Sequence, residues 1–215
     1  MDFIYNYIAI EGNIGAGKTT LANMIGQQYS ARIILEQFED NNFLSKFYEN
    51  PERYAFPLEL SFLSDRYQQL KSELSNLDLF HSLIVSDYFI HKSVIFARKT
   101  LNNDEFQLFY KLFNIMNDKI PKPELLVHLF VKTPKLKMNI NKRGRTFEKN
   151  ITEDYLSGIQ ESYLHYLKQQ HQLKILMLDI NELDFVSTPS DYQKIVDVIN
   201  REYPDGITKI VLEGG

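Results

Sequence analysis

A chain of 215 residues with a formal net charge of −4 has room for one α/β domain with a sizeable core and little surplus for a second. The acidic balance argues against nucleic acid as the main partner. The absence of cysteine excludes disulfides, thiolate metal sites and a cysteine nucleophile, and is compatible with a cytoplasmic setting.

In chain order, Ile4 to Ile10 reads as a short apolar strand. It leads into Gly12-Asn13-Ile14-Gly15-Ala16-Gly17-Lys18-Thr19, which fits G-x-x-x-x-G-K-[ST] at every fixed position. Helical spacing of Leu21, Met24 and Ile25 follows, starting at Thr20. A glycine-rich turn between strand and helix aims backbone N–H groups inward and forms an anion site at the helix N-terminus. Residues 12–20 are therefore the candidates for binding a nucleoside triphosphate. Lys18 would reach the β- and γ-phosphates and the Thr19 hydroxyl would hold Mg²⁺.

Ile33 to Glu36 is a second strand ending in an acid, and Leu83 to Asp87 a third. Between them Pro51 to Leu77 is long and helical, with Phe62, Tyr67 and Leu70 among its apolar positions. Ser93 to Leu101 and Asp104 to Met116 read as helices. Leu125 to Val131 is a fourth strand, the longest apolar run, and far short of the ~20 residues a membrane helix needs. Neither a membrane partner nor a secretory signal is expected. Thr133 to Lys142 is a helix ending at the basic Arg143-Gly144-Arg145, and Thr152 to Gln170 another, with Thr152 as its N-cap. Lys174 to Leu178 is a fifth strand and Ser190 to Ile199 a closing helix. Gly206 to Leu212 is a weak strand candidate.

This alternation predicts a five-stranded parallel sheet flanked by helices. In such sheets ligands sit beyond the carboxyl ends of the strands. The glycine loop, Glu36 and Asp87 follow the first three strands and so converge on one cleft. Phosphoryl transfer needs a phosphate cradle, a metal, a base at the acceptor and cations around the moving charge. Glu36 is the candidate base, Asp87 a metal ligand directly or through water, and Arg143 and Arg145 are forks for triphosphate oxygens. Each has a plainer counterpart: a surface carboxylate, a helix cap, a solvated basic turn. The five histidines show no metal-ligand spacing and read as core or surface residues.

Several ordered stretches from about Tyr7 to Ile199 resemble the deoxyribonucleoside kinase family, which implies a P-loop kinase fold with an arginine-bearing lid at about 142–150, within a single domain. Glu36 matches the family's base for the nucleoside 5′-hydroxyl. Tyr48, opening Tyr48-Glu49-Asn50-Pro51-Glu52-Arg53-Tyr54, takes the place of a Tyr that binds the sugar 3′-hydroxyl. Glu59 stands where the family usually places a Gln on the base, Arg66 matches an Arg near the base, and Phe62 falls among the substrate-binding positions. Lys142-Arg143-Gly144-Arg145-Thr146-Phe147-Glu148 is similar to the lid, Glu148 matching an acid at the sugar 3′-hydroxyl. Leu178 to Asn181 resembles the approach to the donor-adenine loop. Two features depart from the pattern. The family's acid-Arg-Ser after the third strand is Ser86-Asp87-Tyr88 here, leaving Lys92 or Arg66 as stand-in cations, and a further lid arginine is Asn139. The resemblance implies ATP and Mg²⁺ as cofactors, a deoxynucleoside acceptor and a homodimer through helices within Ser93 to Met116.

Glu59 bears on the acceptor. A carboxylate only accepts, which suits the N1–H and N2–H₂ edge of guanine or the amino groups of adenine and cytosine, whereas a Gln both donates and accepts. A purine deoxynucleoside is expected. Overall similarity to bacterial members leans to deoxyadenosine, and the side-chain chemistry equally permits deoxyguanosine. A nucleoside monophosphate kinase and a non-catalytic nucleotide-binding subunit are the alternatives. Against the first, a carboxylate at Glu36 would repel an anionic acceptor. Against the second, a pure binder has no use for that base.

Overall fold

The computed structural model describes residues 3–37, 41–75, 82–145, 148 and 150–214. Its elements run β1 (Tyr7–Gly12), α1 (Lys18–Tyr29), β2 (Arg32–Ile34), α2 (Leu44–Glu49), α3 (Pro51–Ser75), β3 (Ile84–Ser86) and α4 (Lys92–Thr100). They continue as α5 (Asn103–Asn117), β4 (Leu125–Phe130), α6 (Thr133–Arg143), α7 (Glu153–Lys168), β5 (Lys174–Asp179), α8 (Pro189–Ile199) and β6 (Gly206–Val211).

The strands form one parallel sheet in the order β2-β3-β1-β4-β5-β6. Among the described residues the strands number six, not the five expected. The extra one is the tail strand β6, paired in parallel with β5 from Lys174↔Gly206 to Asp179↔Val211. Its sequence signal is weak because it is an edge strand of half-buried and exposed residues rather than a continuous apolar run.

Alternation along the central strands sorts side chains onto two faces. Ile8, Ile10, Val127, Leu176 and Leu178 pack with Leu21 and Ile25 of α1 and Ile195 and Ile199 of α8. Ala9, Leu126, Ile175 and Met177 face the other way, against Leu63 and Leu70 of α3 and Phe109 and Phe113 of α5. Both faces of β1 and β4 are therefore dry, which is why these strands read as unbroken apolar runs.

Two helix ends follow local rules. Thr152 caps α7 by accepting from the Tyr155 N–H at 3.1 Å, as its position predicts. Asn102 and Glu105 close a reciprocal capping box on α5. The expected long helix is α3, and Leu77 lies outside the described residues. The short α2 carries no strong sequence signal, yet it positions Phe47 and Tyr48 beside α3. No helix among the described residues is long and apolar enough to cross a membrane.

Candidate active site

The order β3-β1-β4 reverses direction at β1, so a crevice opens beyond its carboxyl end. The glycine loop fills that point. Gly12, Gly15 and Gly17 have φ of +146°, +83° and +91°, and a Cβ on Gly12 would lie 2.6 Å from the Leu129 carbonyl oxygen. Only glycine fits there without moving β4. Lys18 Nζ donates across the loop to the Asn13 carbonyl at 2.9 Å. The Asn13 side chain turns away from the cradle: its Nδ2 donates to the Leu156 carbonyl at 2.8 Å and its Oδ1 accepts from the Ile14 N–H, tying the loop to α7. Asn139, at the position of the further lid arginine, donates to the Gly15 carbonyl at 2.8 Å and ties the loop to α6.

Asp87 joins the tips of three strands. Its Oδ2 accepts from the Thr19 hydroxyl at 2.5 Å, and its Oδ1 accepts from the Glu36 N–H at 2.7 Å. Two hard oxygen ligands thus sit side by side next to the phosphate cradle, an arrangement that fits Mg²⁺ completed by phosphate oxygens and water. Among the described residues no cluster of three or more His, Asp or Glu offers a protein-only cage.

Glu36 lies two residues past β2, and two cations converge on it. Arg66 of α3 reaches its Oε1 at 2.8 Å through Nε and also donates to Ser93 Oγ at 2.7 Å. Lys92, the first residue of α4, contacts its Oε2. Both cations suggested as stand-ins are therefore held by this carboxylate. Burial alone would raise the Glu36 carboxyl, and Lys92 and Arg66 override it and hold it at about 2. Glu59 of α3 shows the opposite balance. Burial pushes it up to about 7 against Arg66 and Thr100. Two neighbouring carboxyls with opposed shifts are a pattern of working sites.

These groups line one cleft, in which charged and aromatic side chains converge as they do in small-molecule sites. Tyr48, Phe62, Arg143, Arg145 and Glu148 complete its wall, with the Arg66 guanidinium 4.8 Å over the Phe62 ring. Arg143 grips Glu148 with Nε at 3.1 Å and Nη2 at 2.5 Å, and Arg145 stands 3.7 Å from the same carboxylate. In this structure the two arginines both sit on Glu148. Thr146, Phe147 and Lys149 of the lid stretch lie outside the described residues.

A second cleft borders the other side of the loop, lined by Gly15, Ala16, Gly17, Thr20, Arg143 and Phe185. Lys135 of α6 shapes its floor, donating to the carbonyls of Ile180, Asn181 and Leu183 at 3.2, 2.6 and 2.8 Å. Ile14, Lys18 and Thr19 face the first cleft, Ala16, Gly17 and Thr20 the second, and Gly15 borders both, so the loop separates them.

Sequence reasoning missed Glu11. It lies within the apolar pattern of β1, is 2% exposed, and accepts from Phe89 N–H at 2.7 Å, Tyr163 O–H at 2.8 Å and Gly12 N–H at 3.2 Å. Burial raises its carboxyl despite Lys92 and Lys18. Burial and Lys92 in turn draw Lys18 down to about 8. A lone Glu closing an apolar strand was the available signal. His128 sits in β4, pushed down to about 3 by burial, and reads as core.

A parallel sheet with a phosphate loop at its reversal point, a carboxylate across the cleft and arginines at its mouth defines a P-loop phosphotransferase. The family model described as deoxynucleoside kinase matches residues 8–203. A deoxyguanosine kinase of Bacillus subtilis is 39% identical over 193 residues, 88% of this chain and 93% of that one. A deoxyadenosine kinase of Dictyostelium discoideum is 31% identical over 92% of this chain and 79% of the relative. A solved deoxyadenosine kinase from M. mycoides with products dCMP and a flexible dCDP bound superposes with a TM-score of 0.79 at 24% identity, over 90% of this chain and 98% of the other, a likeness of fold. The chain belongs to the deoxynucleoside kinase family.

Proposed function

We propose that this enzyme transfers the γ-phosphoryl group of ATP·Mg²⁺ to the 5′-hydroxyl of a purine deoxynucleoside, yielding a 5′-monophosphate for nucleotide salvage in the cytoplasm. The observation that carries the reading is Glu36. It is a carboxylate that Arg66 and Lys92 hold ionised, in a cleft lined by the phosphate loop on one side and by aromatic side chains on the other. Relatives named deoxyguanosine and deoxyadenosine kinase support the purine acceptor.

In this reading the loop amides and Lys18 hold the donor phosphates, and Thr19 with Asp87 hold Mg²⁺. The metal supplies charge neutralisation of the phosphates and aligns them. Tyr48 and Glu148 fix the sugar, while Phe62, Arg66 and Glu59 face the base. Glu36 accepts a hydrogen bond from the 5′-hydroxyl and so orients its lone pair at the phosphorus. A carboxylate held at about 2 is a weak base, so the hydroxyl proton leaves late, as the new O–P bond forms. Arg143 and Arg145, freed from Glu148, supply positive charge to the moving phosphoryl group.

One domain carries both subsites, and two copies associate through α5, where Leu108 and Ile115, two turns apart, stand 52% and 65% exposed on one face. The test of the reading is a phosphotransfer assay with ATP·Mg²⁺ against deoxynucleosides and deoxynucleoside monophosphates. Deoxyguanosine or deoxyadenosine is expected to be the fastest acceptor. Faster turnover of a monophosphate, or a clear preference for thymidine, would overturn it.

A further inference from the structure

Glu59 is the least settled polar group of the nucleoside cleft. It is 2% exposed, and its Oε2 has no partner among the described residues. Its Oε1 lies 2.8 Å from the Thr100 hydroxyl, which is also 3.1 Å from the Phe96 carbonyl. One hydroxyl proton can serve either acceptor. In the empty cleft Thr100 therefore donates to an ionised Glu59, or turns its proton to Phe96 and accepts from a protonated one. The cations close enough to fix the charge of Glu59 are already engaged, Arg66 by Glu36 and Ser93, and Lys92 by Glu36.

We propose that Glu59 ranks guanine against adenine by its own proton: as a carboxylate it accepts from guanine's N1–H and N2–H₂, and as a carboxylic acid it donates to an adenine ring nitrogen while accepting from N6–H₂. This deepens the kinase reading above and rests on it. With adenine bound, the acid's single proton sits on Oε2, which has no other partner among the described residues, and Thr100 donates to Oε1, whose second lone pair remains for N6–H₂; with guanine bound, both oxygens accept. Wrong pairings leave a buried donor facing a donor or an acceptor facing an acceptor, the kind of mismatch that discriminates strongly.

The surroundings place the switch near neutrality. Burial lifts Glu59 to about 7 against Arg66, Thr100 and Lys92, with Glu36 pushing the same way as burial. The other groups facing it are Tyr48 of α2 and Tyr155 of α7, both raised by burial and so neutral. Lys18, at about 8, acts on the donor phosphates and affects both acceptors alike.

The experiment is a competition between deoxyguanosine and deoxyadenosine for the intact enzyme with saturating ATP·Mg²⁺, read as the ratio of their kcat/KM values from about pH 6 to pH 8. Titrations common to both substrates cancel in that ratio. If guanine needs the ionised form and adenine the protonated one, the ratio rises about tenfold per pH unit. Glu59→Gln, which offers one donor and one acceptor at every pH, is expected to favour deoxyadenosine and flatten the profile. A flat wild-type ratio overturns the proposal while leaving the kinase reading standing, and so does a slope that survives in Glu59→Gln. Absence of phosphorylation of any deoxynucleoside removes both.

Discussion

The cleft holds two carboxyls in opposite conditions, and each carries a consequence at the level of a single side chain. Changing Glu36 to Gln removes the proposed acceptor for the hydroxyl proton and also the counter-charge of Arg66 and Lys92. Turnover is expected to fall about 10²–10⁴-fold while ATP affinity, measured by calorimetry, stays within a factor of two or so of wild type. The same variant is expected to melt at lower temperature, because two buried cations lose their shared partner. An undiminished rate would strip Glu36 of its assigned role. Glu59 affects stability with the opposite sign. Below its ordinary value of 4.5 both folded and unfolded chains keep the proton; between 4.5 and about 7 the unfolded chain releases it and the folded chain does not. Stability therefore declines as pH rises through that window, by about 3 kcal/mol, and then levels off. Denaturant titrations of wild type and Glu59→Gln isolate this contribution, since the amide does not ionise; equal pH slopes in the two would contradict it. Much at this scale was readable in advance. Lys18, Glu36, Asp87 and Arg143 sit at strand tips or motif positions that sequence marks out. The engagement of Glu36 by Arg66 and Lys92 was not, because those partners lie 30 and 56 residues away and meet it only through packing. Glu11 was hidden for the same reason, its Tyr163 partner being 152 residues distant.

Helices and strands set how precisely these groups are presented. Lys135 laces α6 to the turn after β5 through three carbonyls, so it shapes the second cleft, the proposed donor site, without entering the first. Replacing it with Met is expected to raise KM for ATP about tenfold, the worth of one charged hydrogen bond, and to leave KM for the deoxynucleoside unchanged. A matched rise in both constants would show that the turn supports the whole fold instead. The capping box on α5 makes a simpler prediction: Asn102→Ala is expected to cost about 0.5–2 kcal/mol in chemical denaturation, with no change in catalytic constants. The central strands were legible because burial on both faces leaves unbroken apolar runs. α2 and β6 were not. The first is a six-residue helix whose place is fixed by Phe47 against α3, and the second is an edge strand with no fully buried residue. Tertiary contact, rather than local preference, decides both.

Across the whole molecule, the exposed Leu108 and Ile115 on α5 predict association. Sedimentation is expected to give a two-chain particle for the native protein and a single chain for Leu108→Asp combined with Ile115→Asp. A native single chain would remove the dimer from the account. The topology itself was implied by strand–helix alternation, and it brings strand tips 51 residues apart in sequence within one hydrogen bond, as Glu36 and Asp87 show. One arrangement at this scale has a further bearing on economy. Arg143 stands on the boundary between the two clefts and is clasped by Glu148 of the first. In the proposed reading, a deoxyribose with its own hydroxyl to offer competes for that acid. A water molecule arriving alone at the terminal phosphate finds the guanidinium occupied, so the resting enzyme would squander little of the cell's fuel on idle hydrolysis.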